Sequence, residues 1–239
     1  MRVVSLVPSL TEAVAHTAPE LLVGATDWCT HPPDLDVARV GGSKYPDLGR
    51  VRTLRPDLVL VNEEENRRSD AEQLQAAGVR LFTTFPRTVD GALRELADLV
   101  RALGVRHDPE WLLRARSAWS ELDPEPKPRR AVTLVWRRPW VVLGGDTFAN
   151  DVLRRLGVSN LYQTAPERYP RPKLPQILEQ RPDLVVLPDE PYRFTADDGP
   201  EAFPEIPAAL VSGRHLTWYG PSLAEAPALL ADQLARSVG

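Results

Sequence analysis

The sequence contains the stretch RPDLVLVNEE at residues 55–64 and nearly repeats it as RPDLVVLPDE at residues 181–190. In each copy, an Arg-Pro-Asp turn leads into an unbroken run rich in leucine and valine. Such runs are typical of strands that are buried on both faces of a parallel sheet. The repeat therefore predicts two similar α/β lobes, each with a parallel sheet at its centre.

Predicted strands and helices alternate on both sides of these stretches, as they do in a chain of βαβ units. In the first lobe we predict strands at residues 3–7, 22–26, 58–62 and 79–84. We predict three helices in this lobe, one that begins at Ser9 and two that span residues 69–77 and 88–103. In the second lobe we predict strands at residues 131–136 and 184–187, and helices at 147–156, 174–179 and 221–237. The pattern indicates the α/β class.

A further helix is predicted at residues 108–122, because Asp108 is a suitable N-cap and Pro109 suits the first helical position. The proline-rich segment 123–128 follows, and we interpret it as a stiff linker. The predicted domains are an N-terminal α/β lobe of residues 1–107, a bridging helix with its linker at 108–128, and a C-terminal α/β lobe of residues 129–239.

The composition excludes several classes of function. The net charge is -4 over 239 residues, so the chain has no basic excess for binding nucleic acid. No apolar run approaches the roughly 18 residues of a membrane span, so no membrane insertion is predicted. The single cysteine, Cys29, excludes an internal disulfide.

The first residues bear on location. A strand is predicted directly after Met1 and Arg2, in place of the charged and apolar segments of a secretory signal. We expect a cytoplasmic location for the chain as written. If a signal has been removed, a periplasmic or lipid-anchored exterior location is expected instead.

Aromatic residues are predicted at strand ends and in loops of both lobes, and Tyr219 is one of them. Ligands of open α/β sheets bind at the carboxyl ends of the strands, where large rigid aromatics can stack on a flat macrocycle. The alternative is packing at the rim of each sheet. Trp111 and Trp119 lie on the predicted bridging helix and are expected in the core. The candidate ligand contacts are Trp28, Tyr45, Trp136, Trp140, Tyr169 and Trp218.

Charged residues follow two of the predicted strands. After the strand at 58–62 we place four candidate ligand contacts, Glu63, Glu64, Glu65 and Asn66. The alternative is a solvated loop whose carboxylates complement the dipole of the next helix. After Trp136, Arg137 could bind a carboxylate or phosphate of the ligand. It could equally pair with the glutamates of the first lobe, which is the interpretation that we favour.

Metal-binding and catalytic motifs are sparse. Cys29 and His31 lie two residues apart, but two ligands are too few for a closed metal site. His31 could serve as an axial ligand to a chelated metal, or could only shape a turn. The Gly144-Gly145-Asp146 sequence lacks the phosphate-loop fingerprints, and we interpret it as a strand-to-helix turn. No nucleophile motif is present, so no enzymatic activity is predicted.

Several segments together resemble a known family. They are RVVSLVPSLTE at residues 2–12, VGATD at 23–27, HPP at 31–33, VGG at 40–42 and LRPDLV at 54–59. They resemble class III periplasmic binding proteins, also called helical-backbone metal receptors, and within these the vitamin B12-binding branch. The resemblance covers nearly the whole chain. It implies two Rossmann-like lobes joined by a single rigid bridging helix, with the ligand held in a cleft between them.

The resemblance also implies the ligand and bears on the partner. It implies a corrinoid such as cobalamin, or another metal chelate such as a ferric siderophore, with no cofactor required. Members that deliver ligand to an ABC permease usually carry a docking glutamate on each lobe. At the matching positions this chain has Gly49 and Pro175. Because both glutamates are missing, we do not expect the protein to dock on a permease through these two positions.

Three functions remain open at this point. The first is a non-catalytic binding protein for a metal chelate, of cytoplasmic location and without a transporter. The second is the substrate-binding component of an ABC transporter for cobalamin or a ferric siderophore. The third is a metal-dependent enzyme that would use His31 with Glu63, Glu64 and Glu65, and it requires a bound bare metal ion.

Overall fold

The computed structural model describes residues 1–122 and 127–236. The chain divides into two compact units. The first comprises Met1–Pro86, Ala92–Ala115 and Tyr219–Pro221, and the second comprises Arg87–Gly91 and the described residues of Arg116–Trp218 and Ser222–Gly239. Of the predicted linker, residues 123–126 lie outside the described residues.

The first unit is built on a five-stranded parallel sheet. Its strands are β1 (Val3–Ser5), β2 (Leu22–Ala25), β3 (Ala38–Arg39), β4 (Leu58–Asn62) and β5 (Leu81–Thr84), in the order β3-β2-β1-β4-β5. Its helices are α1 (Pro8–Ala15), α2 (Leu48–Thr53) and α3 (Arg68–Ala76), with most of α4 (Val89–Ala102) and part of α5 (Glu110–Ser120). All strand pairs are parallel, as the βαβ pattern predicts.

The described residues of the second unit contain five strands and four further helices. The strands are β6 (Arg129–Trp136), β7 (Val141–Val142), β8 (Val158–Asn160), β9 (Leu184–Pro188) and β10 (Ala208–Val211). The sheet order is β10-β9-β6-β7, and β8 also pairs with β6. The helices are α6 (Phe148–Arg155), α7 (Leu174–Glu179), α8 (Gly213–Thr217) and α9 (Ala226–Ala235).

One strand of the second unit departs from the parallel sheet expected from the sequence. Strand β7 pairs with β6 in the antiparallel sense. Only the four residues 137–140 join these two strands, and a connection so short permits a hairpin but not a parallel crossover. The predicted closing helix is also shorter than expected, because a 3₁₀ turn at Pro221–Ala224 precedes α9.

The sequence repeat corresponds to a repeated set of contacts. In the first unit, Nε of Arg2 donates to the carbonyl oxygen of Leu54, just after α2, at 2.8 Å. In the second, Nη2 of Arg130 donates to the carbonyl oxygen of Gln180, just after α7, at 2.9 Å. Carbonyls at helix ends lack intrahelical partners. In each unit, an arginine near the start of the central strand therefore stabilises the end of the helix that leads into the neighbouring strand, β4 or β9.

The Arg-Pro-Asp turn has one backbone geometry in both copies. Arg55 and Arg181 have φ angles of 49° and 50°, in the left-handed region that few residues other than glycine adopt. The carboxylate of Asp57 then accepts the backbone N–H of Arg2, just before β1, at 2.6 Å, and that of Asp183 accepts the backbone N–H of Arg130, the second residue of β6, at 3.1 Å. The following strands, β4 and β9, are buried along their whole length, which confirms the interpretation of the two apolar runs.

The two tryptophans of α5 are core residues, as expected. Trp111 is 9% exposed and its Nε1 donates to Oγ1 of Thr17 at 3.1 Å. Trp119 is 3% exposed and donates to the carbonyl oxygen of Leu223 at 2.9 Å. Among the described residues, no helix combines the length and apolar character needed to cross a membrane.

Candidate ligand-binding site

Two exposed aromatic residues lie in the loops of the first unit. Trp28 follows β2 and is 67% exposed, and Tyr45 lies before α2 and is 74% exposed. Exposed aromatic surface at the carboxyl ends of parallel strands is typical of a ligand-binding site. These two side chains are the strongest candidates for ligand contact.

The loop that carries Tyr45 is fastened at both ends. Gly41 and Pro46 form an isolated antiparallel bridge. The indole of Trp28 packs beside this loop, since a Cβ placed on Gly42 would lie 3.5 Å from Nε1 of Trp28. Nζ of Lys44 donates to the backbone carbonyl of the loop after β4. Tyr45 is therefore presented by an anchored loop.

Asn66 has a structural role. Its Oδ1 accepts the backbone N–H of Asn62 at 2.8 Å, and its Nδ2 donates to the carbonyl oxygens of Leu6 and Ser43 at 3.2 Å and 3.0 Å. Asn66 is only 8% exposed. Because both ends of its amide bind backbone groups, we no longer place it among the ligand contacts.

The three predicted glutamates follow β4 in a turn organised by Asn62. Its Oδ1 accepts the backbone N–H groups of Glu64 and Glu65 at 2.8 Å and 3.1 Å. Glu63 is exposed, and Glu64 and Glu65 are half-buried. All three stay predicted ligand contacts at the carboxyl end of β4.

Tyr219 does not present its ring to solvent. It is 5% exposed, and its hydroxyl accepts a hydrogen bond from Nδ2 of Asn62 at 2.7 Å and lies 3.0 Å from Oγ1 of Thr84. Burial raises the pKa of the Tyr219 hydroxyl well above its ordinary value. Tyr219 therefore helps to close the core of the first unit beneath the strand ends.

In the second unit, Trp136 ends β6 and is 43% exposed. It contacts Tyr192 edge to face, with 5.5 Å between ring centroids, and Tyr192 in turn lies 4.7 Å from the ring of Phe194. The exposed indole is therefore backed by other aromatic rings, so it is held in one orientation.

Arg137 pairs within its own unit, which corrects the expectation that it pairs with the glutamates of the first lobe. Nη1 and Nη2 form ion pairs with Asp198 and Glu201. The guanidinium also lies 5.1 Å from the ring centroid of Trp140. The hydrogen bond from Arg137 holds the pKa of Glu201 below its ordinary value. Arg137 therefore fastens the segment after β9 to the end of β6.

The remaining predicted aromatics differ in environment. Trp140 is half-buried and contacts Phe203 edge to face at 5.9 Å between ring centroids, so it packs on the core of its unit. Tyr169 is 40% exposed. Trp218 is half-buried, and the Arg214 guanidinium lies 5.8 Å from its ring centroid. Of these three, Tyr169 is the most exposed, and all three stay predicted contacts.

Glu190 is a candidate that sequence reasoning missed. Burial raises the pKa of its carboxyl, as does neighbouring Asp189, while a hydrogen bond from Trp218 and the charge of Arg214 lower it. The net pKa is above the ordinary value, because burial outweighs the hydrogen bond and the positive charge. The repeat contained the signal, since Glu190 aligns with Glu64 in the two ten-residue stretches.

The predicted metal-binding residues do not form a site for a bare ion. Cys29 is buried, and Oγ1 of Thr11 donates to its Sγ at 3.0 Å. Burial raises the pKa of the thiol, so the neutral form is favoured. Within residues 1–122 and 127–236, no group of three or more histidine, cysteine or acidic residues is placed to hold a metal. The axial role of half-buried His31 stays a prediction.

The Gly144-Gly145 turn is explained by a crossing backbone segment. A Cβ on Gly144 would lie 2.5 Å from the carbonyl oxygen of Glu167, and one on Gly145 would lie 1.8 Å from that of Gln163. The two glycines are therefore needed for close packing of residues 163–168 against the turn.

Substitution of Gly145 with alanine is expected to lower the free energy of unfolding by about 2 kcal/mol, because backbone must move to admit the methyl group. Chemical denaturation followed by circular dichroism measures this loss. Gly49→Ala is the control, since Gly49 lies in a helix and meets only a side-chain oxygen. Equal stabilities of the two variants would contradict the packing argument.

Sequence and structure comparisons extend these observations. The chain is 27% identical over 196 residues to the vitamin B12-binding protein of Photorhabdus laumondii subsp. laumondii, covering 78% of this chain and 70% of that protein. It is 24% identical over 194 residues to the vitamin B12-binding protein of Vibrio cholerae serotype O1, covering 77% of this chain and 69% of that protein.

Solved structures share the fold. The periplasmic vitamin B12-binding protein BtuF of Vibrio cholerae superposes with a TM-score of 0.78 at 17% identity, covering 98% of this chain and 96% of that chain. The periplasmic heme-binding protein BhuT, in complex with two hemes, superposes with a TM-score of 0.78 at 23% identity, covering 98% and 97%. These matches confirm the two-lobed α/β fold.

The family comparison agrees with the resemblance found in the sequence. Residues 3–205 match the periplasmic binding protein family. This range takes in β1 to β9, and β10 follows it. The chain therefore belongs to the periplasmic binding protein family.

Proposed function

We propose that this protein binds a flat metal chelate, in the first place a corrinoid such as cobalamin, through the exposed aromatic residues at its strand ends. The observation that carries the proposal is the exposure of Trp28 and Tyr45, at 67% and 74%. When a ligand covers aromatic rings that are exposed to water and anchored in place, the free energy of the complex decreases. Catalysis forms no part of the proposal.

The chemical class of ligand follows from the shape and rigidity of these groups. Flat rings held in place stack on a flat ligand at little cost in conformational entropy. The names of the relatives support the choice, since they include vitamin B12-binding and heme-binding proteins. Trp136 and Tyr169 of the second unit are exposed to a smaller extent, at 43% and 40%. We predict that a single ligand contacts residues of both units.

Titration with cyanocobalamin and aquocobalamin, measured by calorimetry, tests the proposal. We expect saturable binding, and we expect Trp28→Ala and Tyr45→Ala each to weaken it by about tenfold or more. Leu178→Ala is the matched control, because Leu178 is 40% exposed but lies on α7. Failure of cobalamins, iron protoporphyrin IX and ferric siderophores alike to bind would overturn the proposal.

The same titration tests whether His31 is an axial ligand of the bound metal. If His31 is an axial ligand, only aquocobalamin, whose axial water exchanges readily, shows a shift of the corrin absorption bands. The shift is then lost in His31→Ala while cyanocobalamin binding is kept. An identical response of both cobalamins would remove His31 from the proposal.

We further propose that the protein does not dock on an ABC permease through the usual carboxylates. Gly49 lies exposed in α2 and Pro175 lies exposed in α7, and neither offers a charge. The alternative, a substrate-binding component of a transporter, predicts that the loaded protein stimulates the ATPase of a reconstituted corrinoid permease. The proposal predicts no stimulation. A cytoplasmic location stays a prediction.

A further inference from the structure

Arg67 occupies a defined position beside the exposed Tyr45. Its guanidinium carbon lies 4.5 Å from the centroid of the Tyr45 ring. Its Nε and Nη2 donate to the two carboxylate oxygens of Asp70 at 2.9 Å and 2.7 Å. Asp70 is 2% exposed, so this bidentate pair holds the guanidinium plane over the ring.

The pair with Asp70 leaves part of the guanidinium available. A guanidinium has five N–H donors in a rigid fork, and the bonds to Asp70 use one from Nε and one from Nη2. Among the described residues, Nη1 of Arg67 has no hydrogen-bond partner, and the side chain is 44% exposed. A cationic donor of fixed direction therefore remains open beside the aromatic contact.

Charges of both signs lie near this point, since Glu63, Glu64 and Glu65 precede Arg67 in the chain. Lys44, next to Tyr45 in the chain, donates through Nζ to the backbone carbonyl of Glu64 and adds a second positive charge. Asp70 raises the pKa of Arg67, so Arg67 stays charged at every physiological pH. The Asp70 carboxylate itself is buried and already bound, so it does not compete for the outer donors.

We propose that Arg67 binds a phosphate or carboxylate on the periphery of the chelate, while Tyr45 contacts the flat ring system. The inference rests on the proposed function, and it narrows the ligand to chelates that carry an anionic group beside the macrocycle. A planar guanidinium suits both phosphate and carboxylate oxygens. Cobalamin, with its phosphodiester, and iron protoporphyrin, with its propionates, both meet this requirement.

Pairs of ligands that differ in the anionic group test the inference. One pair is dicyanocobalamin and dicyanocobinamide, a corrinoid without the phosphodiester-linked nucleotide. The other is iron protoporphyrin IX and its dimethyl ester. We expect the wild-type protein to prefer the anionic member of at least one pair by about fivefold in Kd. The corrinoid pair also differs in the nucleoside, so a preference identifies phosphate or carboxylate as the group bound only when Arg67→Gln removes it.

Substitutions then assign the preference to Arg67. Arg67→Gln is expected to bind both members of the pair equally, with an unchanged Tm as evidence that it folds. Arg68→Gln is the matched control and keeps the preference, since Arg68 is the adjacent exposed arginine and pairs with Glu72. The preference should also decrease at high salt.

The outcomes separate this inference from the function on which it rests. If chelates bind without preference for the anionic member, or if Arg67→Gln keeps the preference, the anion contact is overturned and the proposed function stands. If no member of either pair and no siderophore binds, the proposed function fails and this inference fails with it. A preference lost equally in Arg68→Gln would indicate general charge attraction and would also overturn the assignment.

Discussion

Replacing Asp151 with asparagine is expected to lower the free energy of unfolding by about 2 kcal/mol at pH 7. Asp151 is 6% exposed, and its carboxylate accepts the backbone N–H of Val89, at the start of α4, at 2.8 Å. Arg154 and Arg155 donate to the same carboxylate at 2.5 Å and 3.0 Å. The amide keeps the shape of the side chain but loses the charge that holds these three donors.

The same carboxylate makes stability depend on pH. Burial alone raises the pKa of Asp151, but the hydrogen bonds from Val89 and Arg154 and the charges of both arginines outweigh burial, so the pKa lies below its ordinary value. A group with a depressed folded-state pKa contributes its full stability above its unfolded-state pKa of about 3.9, and loses it as pH falls through the folded pKa.

Urea denaturation at several pH values measures both effects. The difference between wild type and Asp151→Asn is expected in full at pH 7 and should shrink below about pH 4. Asp90→Asn is the matched control, because Asp90 also pairs with Arg155, at 2.7 Å, but its side chain is 61% exposed. Exposed pairs contribute little, so a loss at Asp90 as large as that at Asp151 would contradict the argument.

Asn66→Ala is expected to cost about 3 kcal/mol of stability and to weaken chelate binding as well. The substitution leaves the buried N–H of Asn62 and the carbonyl of Leu6 without the partners they have in the native protein, at 2.8 Å and 3.2 Å. It also releases the carbonyl of Ser43, two residues before Tyr45. The loop that presents the Tyr45 ring then loses one of its anchors.

Thermal unfolding and calorimetric titration with cobalamin measure the two effects of Asn66→Ala. Gln73→Ala is the control, since the Gln73 amide is exposed on α3 and donates only to the carbonyl of Ser69 at 3.2 Å. We expect little change in either quantity for this control. Normal stability of Asn66→Ala would show that water replaces the lost bonds, and the structural assignment of Asn66 would be wrong.

The fold was largely accessible from the sequence, because its signals are local. The runs after the Arg-Pro-Asp turns are apolar at consecutive positions, and their burial as β4 and β9 follows from that composition alone. The hairpin partner β7 was missed because two valines after a turn carry no distinctive period. Strand β10, of four residues, was missed for the same reason.

The candidate site was accessible only in part. Placement of Trp28 and Tyr45 in loops followed from the strand assignments, and their exposure agrees with it. Sequence reasoning grouped Asn66 with the adjacent glutamates, although Asn66 binds backbone 60 residues away at Leu6. An amide and a carboxylate in one loop look alike as candidate ligand contacts until their hydrogen-bond partners are known.

The sequence by itself determined the α/β class, the two related units and the membership of the family, since these depend on hydrophobic runs, turns and short motifs that neighbouring residues define. Only the tertiary structure decided the partners of polar side chains. Arg137 reaches Asp198 over 61 positions, and Asn62 reaches Tyr219 over 157. Hydrogen bonds and ion pairs depend on direction and on which groups burial brings together, and no period in the sequence encodes that choice.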